Sequence, residues 1–147
     1  MKFSIKTLLL LLAVSAVSVT ACKKDDEKSA EDNLTGASCW KQTKSETYNP
    51  LTSAWEEDVV DACDKDDCTT FNSDKSISFD EGATKCDPAD PQTSTGTWAL
   101  SSDGKTLTLN DATSGISFSG TIVELSSNKL VIEIDILGFK SRLTWQS

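Results

Sequence analysis

Leu130, Ile132, Ile134 and Ile136 alternate with Val131, Glu133 and Asp135, and this period of two predicts a strand with one face on an apolar interior. Gly138 interrupts the run, and Phe139, Ser141, Leu143 and Trp145 continue it as a second strand. Ile116, Phe118, Gly120 and Ile122 form the inner set of the strand before them, with Ser126-Ser127-Asn128 as the turn between. Further upstream, Gly96 to Leu100 leads through Ser102-Asp103-Gly104-Lys105 into Leu107 and Leu109, a hairpin whose Asp-Gly pair favours a primed turn. In the N-terminal half, one strand runs from Trp40 to about Tyr48 and is ended by Asn49-Pro50; a second runs from Trp55 to Ala62. Phe71, then Ile77 and Phe79, mark two short strands joined around Asn72-Ser73-Asp74-Lys75. No segment shows a helical period. The pattern therefore predicts an all-β domain of eight or nine antiparallel strands linked as consecutive hairpins. Closing such a meander into a small up-and-down β-barrel removes its unpaired edges.

The first residues follow a different rule. Lys2 and Lys6 precede Leu8 to Val19, twelve residues that are apolar except for Ser15 and Ser18. As a helix this run reaches roughly 18 Å at ~1.5 Å per residue, short of a ~30 Å hydrocarbon core, so it fits the core of a signal peptide. Val19-Thr20-Ala21-Cys22 resembles the lipobox read by lipoprotein signal peptidase. That resemblance implies a signal peptide over residues 1–21, cleavage before Cys22 and diacylglycerol on the Cys22 thiol. Two or three acyl chains anchor stably where one does not. Residues 22–33, from Lys23-Lys24-Asp25-Asp26-Glu27 onward, are charged and read as a flexible acidic tether. A lysine followed by acidic residues here resembles the surface-export signal of Bacteroidota lipoproteins, which implies an outer-membrane protein facing outward.

Composition narrows the chemistry. Removing residues 1–21 leaves 126 residues, one domain's worth, with 12 basic against 23 acidic side chains, formally −11. Such a surface repels phosphate backbones, which argues against nucleic-acid binding. The sequence contains no histidine, and this removes the usual serine or cysteine triads and imidazole metal sites.

Within the domain, Cys63-Asp64-Lys65-Asp66-Asp67 to Phe71 and Asp80-Glu81-Gly82-Ala83-Thr84-Lys85-Cys86-Asp87 resemble the bacterial lipocalin-like domain family. Gly96-Thr97-Trp98, Ser102 to Leu107 and the opening Leu34-Thr35-Gly36 extend the likeness over residues 34–147. The resemblance implies a lipocalin-like up-and-down barrel and little about activity. The family opens with Gly-x-Trp, whereas here Gly36-Ala37-Ser38-Cys39-Trp40 is longer and carries a cysteine. The exported, even set of Cys39, Cys63, Cys68 and Cys86 favours two disulfides among three possible pairings. Strand parity turns Cys39 and Cys68 outward together and leaves Cys63 with Cys86, the pair the resemblance also favours. Zinc at Cys63-(x4)-Cys68 is disfavoured, because exported thiols oxidise and no imidazole assists.

The remaining candidates divide between solvated charge and an interior. Asp61, Asp64, Asp66 and Asp67 lack the glycine and terminal glutamate of an EF-hand loop and include Lys65, so they read as a solvated turn. Glu56, Glu57 and Asp58 have no opposing carboxylate for glycosidase chemistry and read as surface charge. Trp40, Phe71, Phe79, Trp98, Phe118, Ile132, Phe139 and Trp145 face the predicted interior, which is either filled or an apolar calyx. No polar residue is assigned an inward position. Trp55 either covers one barrel end or stands exposed as a contact residue. The expectation is thus a monomeric, non-catalytic, cofactor-free lipoprotein, held to the membrane by its lipid, that takes a small hydrophobic ligand into the barrel. The alternative is a filled barrel that contacts proteins or glycans through its loops and Trp55.

Overall fold

The computed structural model describes residues 28–112 and 115–147, so the expected signal peptide, the expected lipidation site Cys22 and the first part of the expected tether lie outside the described residues. One short helix, α1 (Ala30–Thr35), precedes nine strands: β1 (Lys41–Asn49), β2 (Ala54–Asp58), β3 (Cys68–Phe71), β4 (Ser76–Asp80), β5 (Thr93–Leu100), β6 (Thr106–Asp111), β7 (Ser117–Leu125), β8 (Lys129–Ile136) and β9 (Phe139–Gln146). They form one antiparallel sheet in the order β2-β1-β9-β8-β7-β6-β5-β4-β3, which is the expected all-β meander.

The expected full closure does not occur as a continuous ladder. The edges meet at a single bridge, where Trp40 and Thr69 exchange backbone hydrogen bonds of 2.8 and 2.9 Å. The Cys39–Cys68 disulfide lies beside this bridge. β2 is shorter than expected, ending at Asp58, and pairs only with the distal half of β1 from Ser45↔Asp58 to Asn49↔Ala54. The segment between β2 and β3 therefore supplies no ladder across the seam.

Helix α1 corrects the expected tether, because residues 30–33 are helical rather than flexible. Ser29 Oγ accepts from the Asp32 amide at 3.0 Å while the Asp32 carboxylate accepts from the Ser29 amide at 3.2 Å, a capping box. Six residues are too few for a helix to persist alone. Tertiary contacts hold it: Leu34 is fully buried in the core, and Trp40 Nε1–H donates to the Leu34 carbonyl at 2.9 Å. Lys75 Nζ also pairs with Glu31 at 2.7 Å. Helix α1 thus plugs one end of the barrel.

Behind the plug the interior is filled by apolar side chains apart from one small cavity. Trp40, Phe71, Ile77, Trp98, Leu107, Leu109, Leu130 and Ile132 are buried together. Phe71 meets the Trp98 ring edge-on at 5.6 Å, and Trp98 Nε1–H donates to the Asn72 carbonyl at 3.0 Å. Two turns depart from simple expectation. At Asp103-Gly104 only Gly104 has positive φ, so the primed turn does not form; Asp103 instead accepts from the Lys105 amide and from Ser101 Oγ across a wider loop. The primed geometry appears at Leu137-Gly138, where φ is 54° and 89° between paired Ile136 and Phe139.

Candidate ligand-binding mouth

Inward positions can be followed strand by strand from the plugged end to the opposite, open end. On the β3 side the series runs Phe71, Thr69, Asp67; on β4, Ile77, Phe79, Glu81; on β6, Leu107, Leu109, Asp111. Each begins in buried apolar residues and ends in a carboxylate. The alternation that defines the core therefore also carries three acidic groups to the rim. On β7 the same inward series ends in Phe118 and Ile116, and on β8 in Ile134 and Ile136.

Two voids follow from this arrangement. An apolar cavity of about 60 Å³ lies inside, lined by Thr69, Phe71, Phe79, Leu109, Phe118, Leu130, Ile132 and Trp145. A dry cavity of ~150 Å³ is needed to admit even benzene, so this inner space is too small for a fatty acid or a retinoid. Above it, a depression of about 320 Å³ opens to solvent, lined by Asp67, Phe79, Glu81, Ser94, Leu109, Asp111, Ile116 and Phe118. That volume falls at the lower end of the ~300–1,000 Å³ range of small-molecule pockets. Phe79, Leu109 and Phe118 line both spaces, so the mouth is floored by the top of the core.

The rim is built by two loops, residues 59–67 and 81–92, that are fastened to each other. Cys63 and Cys86 are joined by a disulfide, with Cα atoms 5.2 Å apart. Asp66 Oδ2 accepts from the Ala83 and Thr84 amides at 2.8 and 3.0 Å. Gly82 has φ +64°, and a Cβ there would lie 2.7 Å from the Asp66 carbonyl oxygen, so only glycine fits this crossing. Asp80 accepts from the Gly82 amide and from Gln92 Nε2 at 2.9 and 3.1 Å.

Asp67 lines the mouth itself. Its Oδ1, like that of Asp66, is shielded from solvent and has no hydrogen-bond partner among the described residues. Burial pushes its carboxyl up to about 6, and the neighbouring charges of Glu81, Asp64, Asp66 and Asp80 add to the rise. None of the salt bridges among the described residues reaches Asp67 or Glu81.

The candidate interior residues divide into three groups. Phe71, Phe79, Phe118, Ile132 and Trp145 line the inner cavity. Trp40 and Trp98 are packed at the plugged end, with their indole N–H groups spent on backbone carbonyls. Phe139 is corrected outright: it keeps the inward parity but sits at the last pair of the β8–β9 hairpin, beyond the core, and is 78% exposed. Asp67, Glu81 and Asp111 reverse the expectation that no polar group points inward; their signal is the inward alternation continued to the rim, two residues past Phe79 and Leu109 for Glu81 and Asp111 and two past Thr69 for Asp67. Glu56, Glu57 and Asp58 are exposed, as expected of surface charge, and Asp58 accepts there from the Ser45 and Thr47 hydroxyls at 3.2 and 2.9 Å.

Trp55 takes neither of its two expected roles. It is half-buried on the outer face, 5.3 Å from Tyr48 in edge contact and beneath the Arg142 guanidinium at 4.1 Å. Arg142 Nε also donates to Glu133 at 2.9 Å. The thiols considered for zinc belong to two different disulfides, Cys39–Cys68 and Cys63–Cys86.

Comparison with known proteins agrees with this architecture. No curated protein matches the sequence. Among solved structures, a lipocalin-like protein from Bacteroides uniformis superposes with a TM-score of 0.52 at 12% identity, over 78% of this chain and 98% of that one. At that identity the likeness speaks for the fold alone. The family model described as a lipocalin-like domain matches residues 34–132, most of the sheet from the end of α1 into β8, and the chain belongs to that lipocalin-like domain family.

Proposed function

We propose that this protein is a lipid-anchored, non-catalytic binding module that seats the apolar part of a small molecule in the open mouth of its barrel. The observation that carries the reading is the contrast between the two ends of one alternating pattern. Inward apolar residues are buried at the plugged end, yet Ile116, of the same parity and lining the mouth, is 62% exposed at the open end. Solvent-facing apolar groups on the inner side of a concavity gain by covering, at roughly 25 cal/mol per Å² removed from water. The inner cavity of about 60 Å³ restricts the ligand to the mouth rather than a deep calyx.

Absence of histidine supports the non-catalytic part of the reading. The lipobox-like Val19-Thr20-Ala21-Cys22 and the Lys-acidic run after it support an outer-membrane address facing outward. An anchor on Cys22 enters the domain at α1, the plugged end, and so directs the mouth away from the membrane.

Displacement of the neutral dye Nile red by short phenylalkanols tests the binding reading. The chain from residue 23 onward, which contains every described element, should bind and release the dye. Ile116→Ser should weaken uptake several-fold without lowering Tm, because Ile116 is already exposed. Absence of uptake by the unaltered chain contradicts the reading. A second reading, a contact protein with a filled barrel, draws on the exposed hairpin tip Leu137 and Phe139, at 95% and 78%. It predicts no dye uptake.

A further inference from the structure

We propose that the molecule seated in this mouth is a cationic amphiphile, an apolar body carrying a protonated amine or quaternary ammonium. The inference rests on the binding reading above and adds the ligand's charge.

Three features of the mouth converge on it. First, its apolar floor of Phe79, Leu109 and Phe118 requires an apolar body, and its volume of about 320 Å³ limits that body to about a single ring with a short chain. Second, the charged groups lining it are all carboxylates: Asp67, Glu81 and Asp111, with neither lysine nor arginine. An anionic headgroup in that position would meet like charge in a partly desolvated space, where Coulomb interactions are stronger than in water. Third, Asp67 lines the mouth and its Oδ1 lacks a hydrogen-bond partner, so an ammonium drawn to this carboxylate meets an acceptor that the fold leaves unmade once the side chain turns into the mouth. Asp66 Oδ1 is equally unpartnered, but Asp66 does not line the mouth, and its Oδ2, like Asp80 Oδ1, is committed to the loop framework. The Phe79 and Phe118 rings add faces on which a cation is attracted.

Glu81, Asp64, Asp66 and Asp80 surround Asp67 and raise its proton affinity. A bound cation relieves that repulsion, so uptake releases a proton near pH 6 and strengthens as pH rises from 5 to 7.5.

Isothermal titration of residues 23–147 with three probes of one apolar body, 4-phenylbutylamine, 4-phenylbutanol and 4-phenylbutyrate, separates the two claims. At low salt and pH 7.5 the amine should bind at least tenfold tighter than the alcohol, and the carboxylate weakest. Asp67→Asn together with Glu81→Gln should bring the ratio of amine to alcohol affinity down to about one. If the alcohol and carboxylate bind as well as the amine, the charge inference fails while the binding reading stands. If none of the three binds, both fail.

Discussion

Leu137 and Asp67 each hold a state that an isolated residue avoids. Leu137 occupies left-handed backbone at φ 54°, with its side chain 95% exposed, to complete the two-residue turn at Gly138. A non-glycine L-residue there costs ~1–2 kcal/mol, less for asparagine, which bonds locally. Leu137→Asn should therefore stabilise the fold by about 0.5–1 kcal/mol in urea unfolding, and a loss of stability would refute the strain. Asp67 has a folded-state carboxyl value of about 6 against 3.8 for the free group. Between those values the folded protein retains a proton that the unfolded chain has released, so stability falls as pH rises through this window and levels off above it. Asp67→Asn removes the penalty. It should raise Tm at pH 7.5 and give no comparable gain at pH 3.5; an equal gain at both would show that the carboxyl is not perturbed.

At the scale of elements, α1 and the rim loops do opposite jobs. The helix closes one end through one buried side chain, so Leu34→Ala should cost ~2–4 kcal/mol in chemical unfolding. A cost under 1 kcal/mol would mean that the helix rests on the barrel without plugging it. The Cys63–Cys86 bond holds the rim loops across 23 residues of sequence. Replacing both cysteines by serine should lower stability by ~2–4 kcal/mol and speed hydrogen exchange at the Ala83 and Thr84 amides, which Asp66 otherwise protects. These elements were unequally legible in the sequence. The strands β5 to β9 could be read because Leu130 to Ile136 and its neighbours alternate over several residues and end at clear turn residues. Helix α1 could not, since six residues with one buried leucine contain no period to read. The mouth carboxylates escaped notice because each stands at the rim end of its strand, Asp67 just before β3 and Glu81 and Asp111 after the last apolar residue of β4 and β6, where a charge reads as part of a solvated loop. The partial seam escaped for another reason: ladder closure depends on how far β2 extends, and nothing in Trp55 to Ala62 marks Asp58 as its end.

As a whole molecule, the domain is a barrel closed by a single bridge, with one plugged and one open end. The chain enters at the plug, and the inward series pass from apolar to acidic as they approach the opposite rim. Lipid on Cys22 would place the plug toward the membrane and the mouth toward the outside. Protease treatment of intact cells should then remove the domain while leaving periplasmic proteins intact; full protection would place it on the periplasmic face. On the binding proposed above, the open mouth, rather than the core or the hairpin tip, receives an apolar body. Two-dimensional NMR of the methyl and backbone amide groups, titrated with 4-phenylbutanol, tests this most directly. The account predicts saturable shifts at Ile116, Phe118, Phe79 and Leu109, with Ile77, Leu34 and Leu137 unmoved. Shifts confined to Leu137 and Phe139, or none at saturating alcohol, would contradict it.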